Sequence, residues 1–549
     1  MAVKKTNFRK SLVALRFRAK SQIFFSSAVL ALLVAISLKT NSPSFNAWYG
    51  PIDDHDFLQI SNPRGLIGIG QNIQQYFLET GGLGNLGHTP RYLPVYYFLR
   101  FIIISILGGH PGFLYFFRAC SQAICAFLVY LICKNLSQGS KFQRYLVEFI
   151  AIITSMLILS APSWIDISTR LGPSEMELSI GICLTIIGLF NLTNTHDNVN
   201  KNYDFFFLVL LIGVSIASGS KENGLVSVVP LGYVLITKKN WIRQKTKRII
   251  FAAMSTIIPS AVAYNVIKVI SSGSDVYGNQ RNSGTIVSAI IERAQNPNFY
   301  VILGSTTIIA LNYLRAKGNS GRGSTVVVVF LAVLYLSEGI FYSNIFLPLR
   351  YGLLSDLAVL LCIGMTLADL IGSKITFTGA SKLIVAIAVV SALSLELYVL
   401  TPYANLKSHF IQSKSNSNYT NNWKSQILGV REASILQSTA PIVLYEQSSD
   451  DDFERIASIV KYLRFVGANN LVYLIVLEQE NKTNVLLSDL WDISLSGSKR
   501  WDVEPLNKIN KSKNAICISF GDDPRITGDL SSSISKIDIN CSTFSIIPY

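Results

Sequence analysis

The sequence predicts a polytopic α-helical membrane protein of about eleven spans with juxtamembrane helices, carrying a soluble α/β domain at its C-terminus. Three observations predict it. Of 549 residues 50% are hydrophobic and only 15% charged, with a mean hydropathy of +0.39. The Lys and Arg residues behind the net charge of +15 gather at the ends of apolar runs, so topology explains them and no nucleic-acid partner is implied. Finally, long apolar runs stop near residue 401.

The tail 1–21 carries Lys4, Lys5, Arg9, Lys10, Arg16, Arg18 and Lys20 ahead of the apolar run Ile23–Leu38. Positive charge before a first span places the N-terminus in the cytoplasm, in a protein of the cytoplasmic (inner) membrane. A cleaved signal peptide is the competing reading. The lack of a clear small-residue cleavage site and the presence of further spans favour a retained anchor.

The next segment, 39–112, is then expected outside. It holds Asp53, Asp54, His55 and Asp56, a glycine-rich stretch from Gly65 to Gly87, and His88-Thr89-Pro90-Arg91. The apolar run Tyr92–Leu107 is the ambiguous piece. If it crossed, the basic loops around Lys141 and around Lys238–Arg248 would face outward, so parity assigns it to the interface as a juxtamembrane helix. The remaining spans fall near 113–133, 145–161, 176–193, 204–218, 224–237, 249–270, 298–315, 325–343, 351–371 and 382–400, completing a membrane domain over 22–400.

Beyond residue 401 the composition turns to Asn, Ser, Asp and Lys, with strand-like runs at Pro441–Tyr445, Leu471–Leu477 and Ala515–Phe520 and a helix-like stretch over Asp451–Phe465. The region 401–549 is therefore expected to be an external α/β domain. Five of the seven cysteines fall inside apolar runs, where Cys acts as a small hydrophobe. Cys517 and Cys541 lie in polar surroundings, and export would allow either a disulfide or two free thiols.

The outward loops collect the chemistry-bearing residues. Asp53, Asp54 and Asp56 with His55 stand between Trp48-Tyr49 and Phe57. A carboxylate there can accept a proton from an attacking hydroxyl, and its neighbours can hold a divalent cation; the plainer alternative is a solvated acidic loop. Arg170, Glu175 and Glu177 follow around Gly172-Pro173, where an acid equally suits a helix N-terminus. Lys221 with Glu222 in Ser220-Lys221-Glu222-Asn223-Gly224, and Arg350 in Leu349-Arg350-Tyr351, can each neutralise a phosphate or snorkel to a lipid headgroup. His88 and Arg91 complete the set.

In this order (Asp-Asp in the first loop, Thr89-Pro90 before an aromatic apolar run, Gly-Pro-Ser-Glu, Lys-Glu-Asn-Gly and Leu-Arg-Tyr) the motifs resemble the GT-C superfamily of glycosyltransferases. The likeness extends over about residues 20–400, and is nearest to the protein O-mannosyltransferase-like and aminoarabinose-transferase-like members. It implies a polyprenyl-phosphate-linked sugar donor, a glycan, lipid or protein acceptor reached from the outer face, and a divalent cation, Mg2+ or Mn2+, as a candidate cofactor. By the same resemblance Asp53 is the base and Asp54 assists or binds metal. Glu175 stands where the family often has a second acid, Lys221 and Arg350 correspond to donor-phosphate contacts, and Arg91 and Arg170 are further candidates. The sequence departs in the polar continuation His55-Asp56, which leaves open which aspartate is the base.

The reaction so implied is an inverting displacement at the anomeric carbon, with the cations stabilising the departing lipid phosphate. The rival classes are a transporter or lipid flippase, which would place charges near the midplane and show matching halves, and an O-antigen polymerase or ligase, which would carry a large mid-chain outer loop. A scaffold whose C-terminal region does the binding is a third.

Overall fold

The computed structural model describes residues 2–50, 54, 92–136, 141–194, 203–237, 246–271, 283–315, 322–341, 349–372, 401–440, 442–446, 459, 462–463, 465–470, 472–476, 516–522 and 532–538. Among them the apolar runs are helices. These are α1 (Ala2–Asn41), α2 (Pro94–Leu107), α3 (Pro111–Lys134), α4 (Lys141–Leu159), the short α5 (Ser163–Ser168), α6 (Glu175–Asn194), α7 (Tyr203–Ser220) and α8 (Val228–Thr237). There follow α9 (Thr246–Ser271), α10 (Ser283–Gln295), α11 (Pro297–Arg315), α12 (Arg322–Phe341), α13 (Leu353–Gly372) and α14 (Pro402–Leu436). Short 3-10 turns stand at Ser42–Asn46, Glu222–Ser227 and Leu349–Gly352.

Six helices are long and apolar enough to cross a membrane, over Gln22–Asn46, Pro111–Lys134, Phe142–Leu159, Glu175–Asn194, Tyr203–Ser220 and Arg350–Ile371. The chain is thus an integral membrane protein of helical class. Pro94–Ile106, Glu222–Thr237 and Gly323–Glu338 are shorter apolar helices, so the expected count of eleven is not reached among the described residues. The run expected over 382–400 lies outside them.

The segment between α1 and α3 begins and ends at one end of the bundle. Near the close of α1, Asn41 donates to Gln122 Oε1 (3.0 Å), halfway along α3, and just past α1 the Phe45 carbonyl lies so close to the start of α3 that a Cβ on Gly112 would stand 2.3 Å from it. At 14 residues α2 spans roughly 21 Å, less than the roughly 30 Å of a hydrocarbon core.

Helices α6 and α7 pack with their backbones in contact. A Cβ on Gly181 would stand 2.5 Å from Ala217 N, which is how small residues let apolar helices approach where lipid offers no hydrophobic drive. Past α7 the chain folds back on it. A Cβ on Gly224 would stand 2.0 Å from Ala217 O, so only glycine fits this turn.

The C-terminal part holds four strands, β1 (Ile442–Glu446), β2 (Val472–Val476), β3 (Ile516–Asp522) and β4 (Ser532–Asp538), in the order β2-β1-β3-β4. β1 is parallel to β2 and β3, with Ile442 opposite Val472 and Ile516, and β4 runs antiparallel to β3. The expectation of a self-contained α/β domain from residue 401 is nonetheless not met. The region opens with the 35-residue α14, whose buried stripe His409, Ser413, Asn416, Thr420, Trp423 and Ile427 repeats every three to four residues. That stripe packs on the 3-10 turn at Ser42–Asn46 and on α5. One apolar cluster then joins Trp48, Tyr115 and Leu171 of the membrane part to Trp423, Tyr462 and Ile516. Cys517 is in β3, while Cys541 lies outside the described residues, and the disulfide with it.

Candidate functional site

The loop Thr169–Ser174, between α5 and α6, has its backbone groups met by buried side chains. Arg118, seven residues into α3, is fully buried. Its guanidinium donates to Leu171 O (2.9 Å), Ile167 O (2.8 Å) and Pro173 O (3.2 Å). Tyr96 of α2 donates to Gly172 O and Asn416 of α14 to Thr169 O (2.7 Å), with the Tyr115 hydroxyl 3.3 Å from that same carbonyl.

The loop's N–H groups go to Asp54. Its Oδ1 accepts from Leu171 N (2.6 Å) and Gly172 N (3.1 Å), and its Oδ2 from Gly50 N (2.7 Å) and Tyr115 OH (3.4 Å). A carboxylate has about four lone-pair sites, and these four bonds fill them. Asp54 is 0% exposed and anchors the first loop to the second. Among the described residues no group of three or more His, Cys, Asp or Glu stands together as metal ligands do. Asp53, His55, Asp56, His88 and Arg91 lie outside the described residues.

The anchored loop launches α6, which puts Glu175 and Glu177 in its first turn, where the helix dipole favours an anion. Glu177 pairs with Arg100 of α2 (2.9 Å), which also lies over the Tyr96 ring at 5.0 Å. Glu175 accepts from Lys221, which follows α7, and both are buried. The Lys221 ammonium stands 4.1 Å from the centroid of the Tyr351 ring, and the Arg350 guanidinium 5.2 Å from the same ring. Glu175 also feels the charge of Arg350. Of the residues singled out in the sequence, Glu175, Lys221 and Arg350 thus come together from three distant segments. The Nε of Arg170 pairs with Asp166 at 3.2 Å, one turn back.

Next to this group lies a second one that the loop-centred reading of the sequence passed over. Glu338, in the last turn of α12, accepts at Oε2 from Arg293 of α10 (2.9 Å) and Ser355 of α13 (2.7 Å). Ser163 donates to Asp356, the residue after Ser355. The charge of Lys221 bears on Glu338. Arg100, Arg118, Glu338 and Asp356 share one signal that would have found them. Each is an ionisable residue inside an apolar run, which is costly unless paired or used.

Around the loop, α14 contributes His409, which contacts Ser168 and whose imidazole burial pushes down to a pKa of about 4. Burial, with the Asp54 carboxylate adding to it, raises the phenol of Tyr462 well above its usual value, and its hydroxyl donates to Gly50 O at 2.6 Å. No family model, no curated protein and no solved structure matches the chain.

Proposed function

We propose that the chain is a membrane-embedded glycosyltransferase that moves a sugar from a polyprenyl-phosphate donor to a glycan, lipid or protein acceptor, with inversion. What supports this reading is the meeting of Glu175, Lys221, Tyr351 and Arg350 at the bundle end where Asp54 ties down the first loop. The basic N-terminal tail gives this end to the outer face of the membrane and the tail to the cytoplasm.

In this scheme Arg350 and Lys221 receive the donor phosphate, Arg350 as a planar fork and Lys221 as a point charge. Glu175 and the Tyr351 ring hold the ammonium in place before the donor arrives, so little reorganisation is left for the reaction itself. Asp53 removes the acceptor's proton. Its neighbour Asp54, fixed by four hydrogen bonds, is the positioning residue of the pair. The gathering of Glu175, Lys221 and Arg350 at helix ends favours this reading over a transporter or flippase.

The test uses the purified full chain with polyprenyl-phosphate sugars, following release of the polyprenyl phosphate. Asp53→Asn is expected to stop release while leaving the folded protein intact. Full activity in that variant removes Asp53 as the base, and no release from any such donor by the parent chain removes the proposal.

A further inference from the structure

Beside Lys221 stand buried side-chain oxygens that lack a donor among the described residues. Among the described residues no donor reaches Glu222 Oε1, Asn223 Oδ1 or Glu338 Oε1. These side chains belong to residues 3%, 2% and 1% exposed. Two of them directly follow Lys221, and the third is on α12, which packs against the 3-10 turn holding them. Each such oxygen has lost its hydrogen bonds to water and gained none in return, which a ligand's donor would restore. The contrast with Asp54, whose oxygens accept four bonds in the adjoining loop, is one of chemistry: here the surplus is all acceptor.

The two cations beside this surplus supply the other half of a ligand's description. A molecule that satisfies the whole group must present several hydroxyl donors close to an anion. Resting on the reading above, we infer that Glu222, Asn223 and Glu338 seat the sugar ring of a glycosyl phosphate by accepting its hydroxyl groups, and so set which sugar is transferred. Lys221 and Arg350 hold the phosphate next to it. Discrimination by such a site is steep, because a ring that lacks the matching hydroxyl leaves the acceptor unpaired again.

The experiment measures binding to the full chain in detergent by thermal shift and titration. The probes are decaprenyl phosphate, decaprenyl phosphate carrying glucose, mannose or arabinose, and the free sugar 1-phosphates. At least one glycosylated lipid is expected to bind about tenfold tighter than bare decaprenyl phosphate. Asn223→Leu is expected to erase that difference while bare decaprenyl phosphate binds as before. Its ligand-free melting point should be unchanged or higher, since an apolar group of similar shape replaces an unpaired carbonyl; a merely structural Asn223 would lower it.

Equal binding of bare and glycosylated lipids to the parent chain overturns the inference and leaves the phosphate reading standing. Binding of free sugar phosphates but of no lipid overturns the lipid-linked donor, and binding of none of the probes overturns both. The comparison within the parent chain decides even if a variant fails to fold.

Discussion

The ammonium of Lys221 lies 4.1 Å from the centre of the Tyr351 ring and is bonded to Glu175, so a cation from one loop is held by an aromatic face and an acid from two others. Removing one partner of a buried ion pair strands the other. Lys221→Met is expected to cost about 3–5 kcal/mol of stability, whereas the double change Lys221→Met with Glu175→Gln should recover much of it. Chemical denaturation checks this, and equal losses in the single and double variants would contradict it. Under the proposed function neither variant regains transfer activity.

Asp54→Ala leaves the N–H groups of Gly50, Leu171 and Gly172 without the carboxylate that accepts from them. The expected loss is about 3 kcal/mol or more of stability, with faster proteolysis of the loop near residue 170. Asp53→Asn should leave both readouts unchanged, which separates the anchor from the proposed base.

Arg118→Met removes the donors to Ile167, Leu171 and Pro173 from a fully buried position. A fall of about 3 kcal/mol is expected in unfolding measurements, and Arg118→Lys should recover little, since one ammonium cannot reproduce the guanidinium fork across three carbonyls.

His409 supplies a pH dependence. Its folded pKa of about 4 lies below the ordinary value near 6.5, so the neutral form is the one the fold keeps. The stability it contributes is complete above about pH 6.5 and is lost as the pH falls toward 4, amounting to about 3 kcal/mol at most. Melting curves between pH 7 and 4.5 should show a steeper decline for the parent chain than for His409→Gln. Parallel declines would assign the acid sensitivity elsewhere.

Gly181→Val forces α6 away from Ala217 of α7. The expected result is a loss of about 1–3 kcal/mol, as overpacking of a tight contact dictates. Gly304→Val on α11, where a Cβ meets nothing within 4 Å, serves as the control and should change little.

How much of this was legible in the sequence follows from what each element buries. Hydropathy marks apolar runs, and the runs ending in Leu38, Cys133 and Ile371 are helical over the expected stretches. Strand-like runs at 442–446 and 472–476 are strands for the same reason: they are β-branched and bounded by turn-forming residues. Helix α14 escaped because the face it buries is largely His, Ser, Asn and Thr, so a hydropathy pattern reads it as solvated loop. Its attachment comes from hydrogen bonds such as Asn416 to Thr169 O and Trp48 N to Thr420, which carry no periodic signature. Glu175, Lys221 and Arg350 were legible as loop-end charges. Arg170 looked alike, but its partner is four residues away, a pairing that spacing permits and only coordinates reveal. Glu338 was missed because a lone acid inside Thr325–Phe341 reads as an interruption of a span, although it is where one carboxylate oxygen stands without a donor.

The glycine contact between α6 and α7 fixes more than two helices. With main chains touching at Gly181 and Ala217, the helix that carries Glu175 and the one that leads into Lys221 meet with no side chain between them, so the spacing of that acid and that ammonium is set by backbone packing.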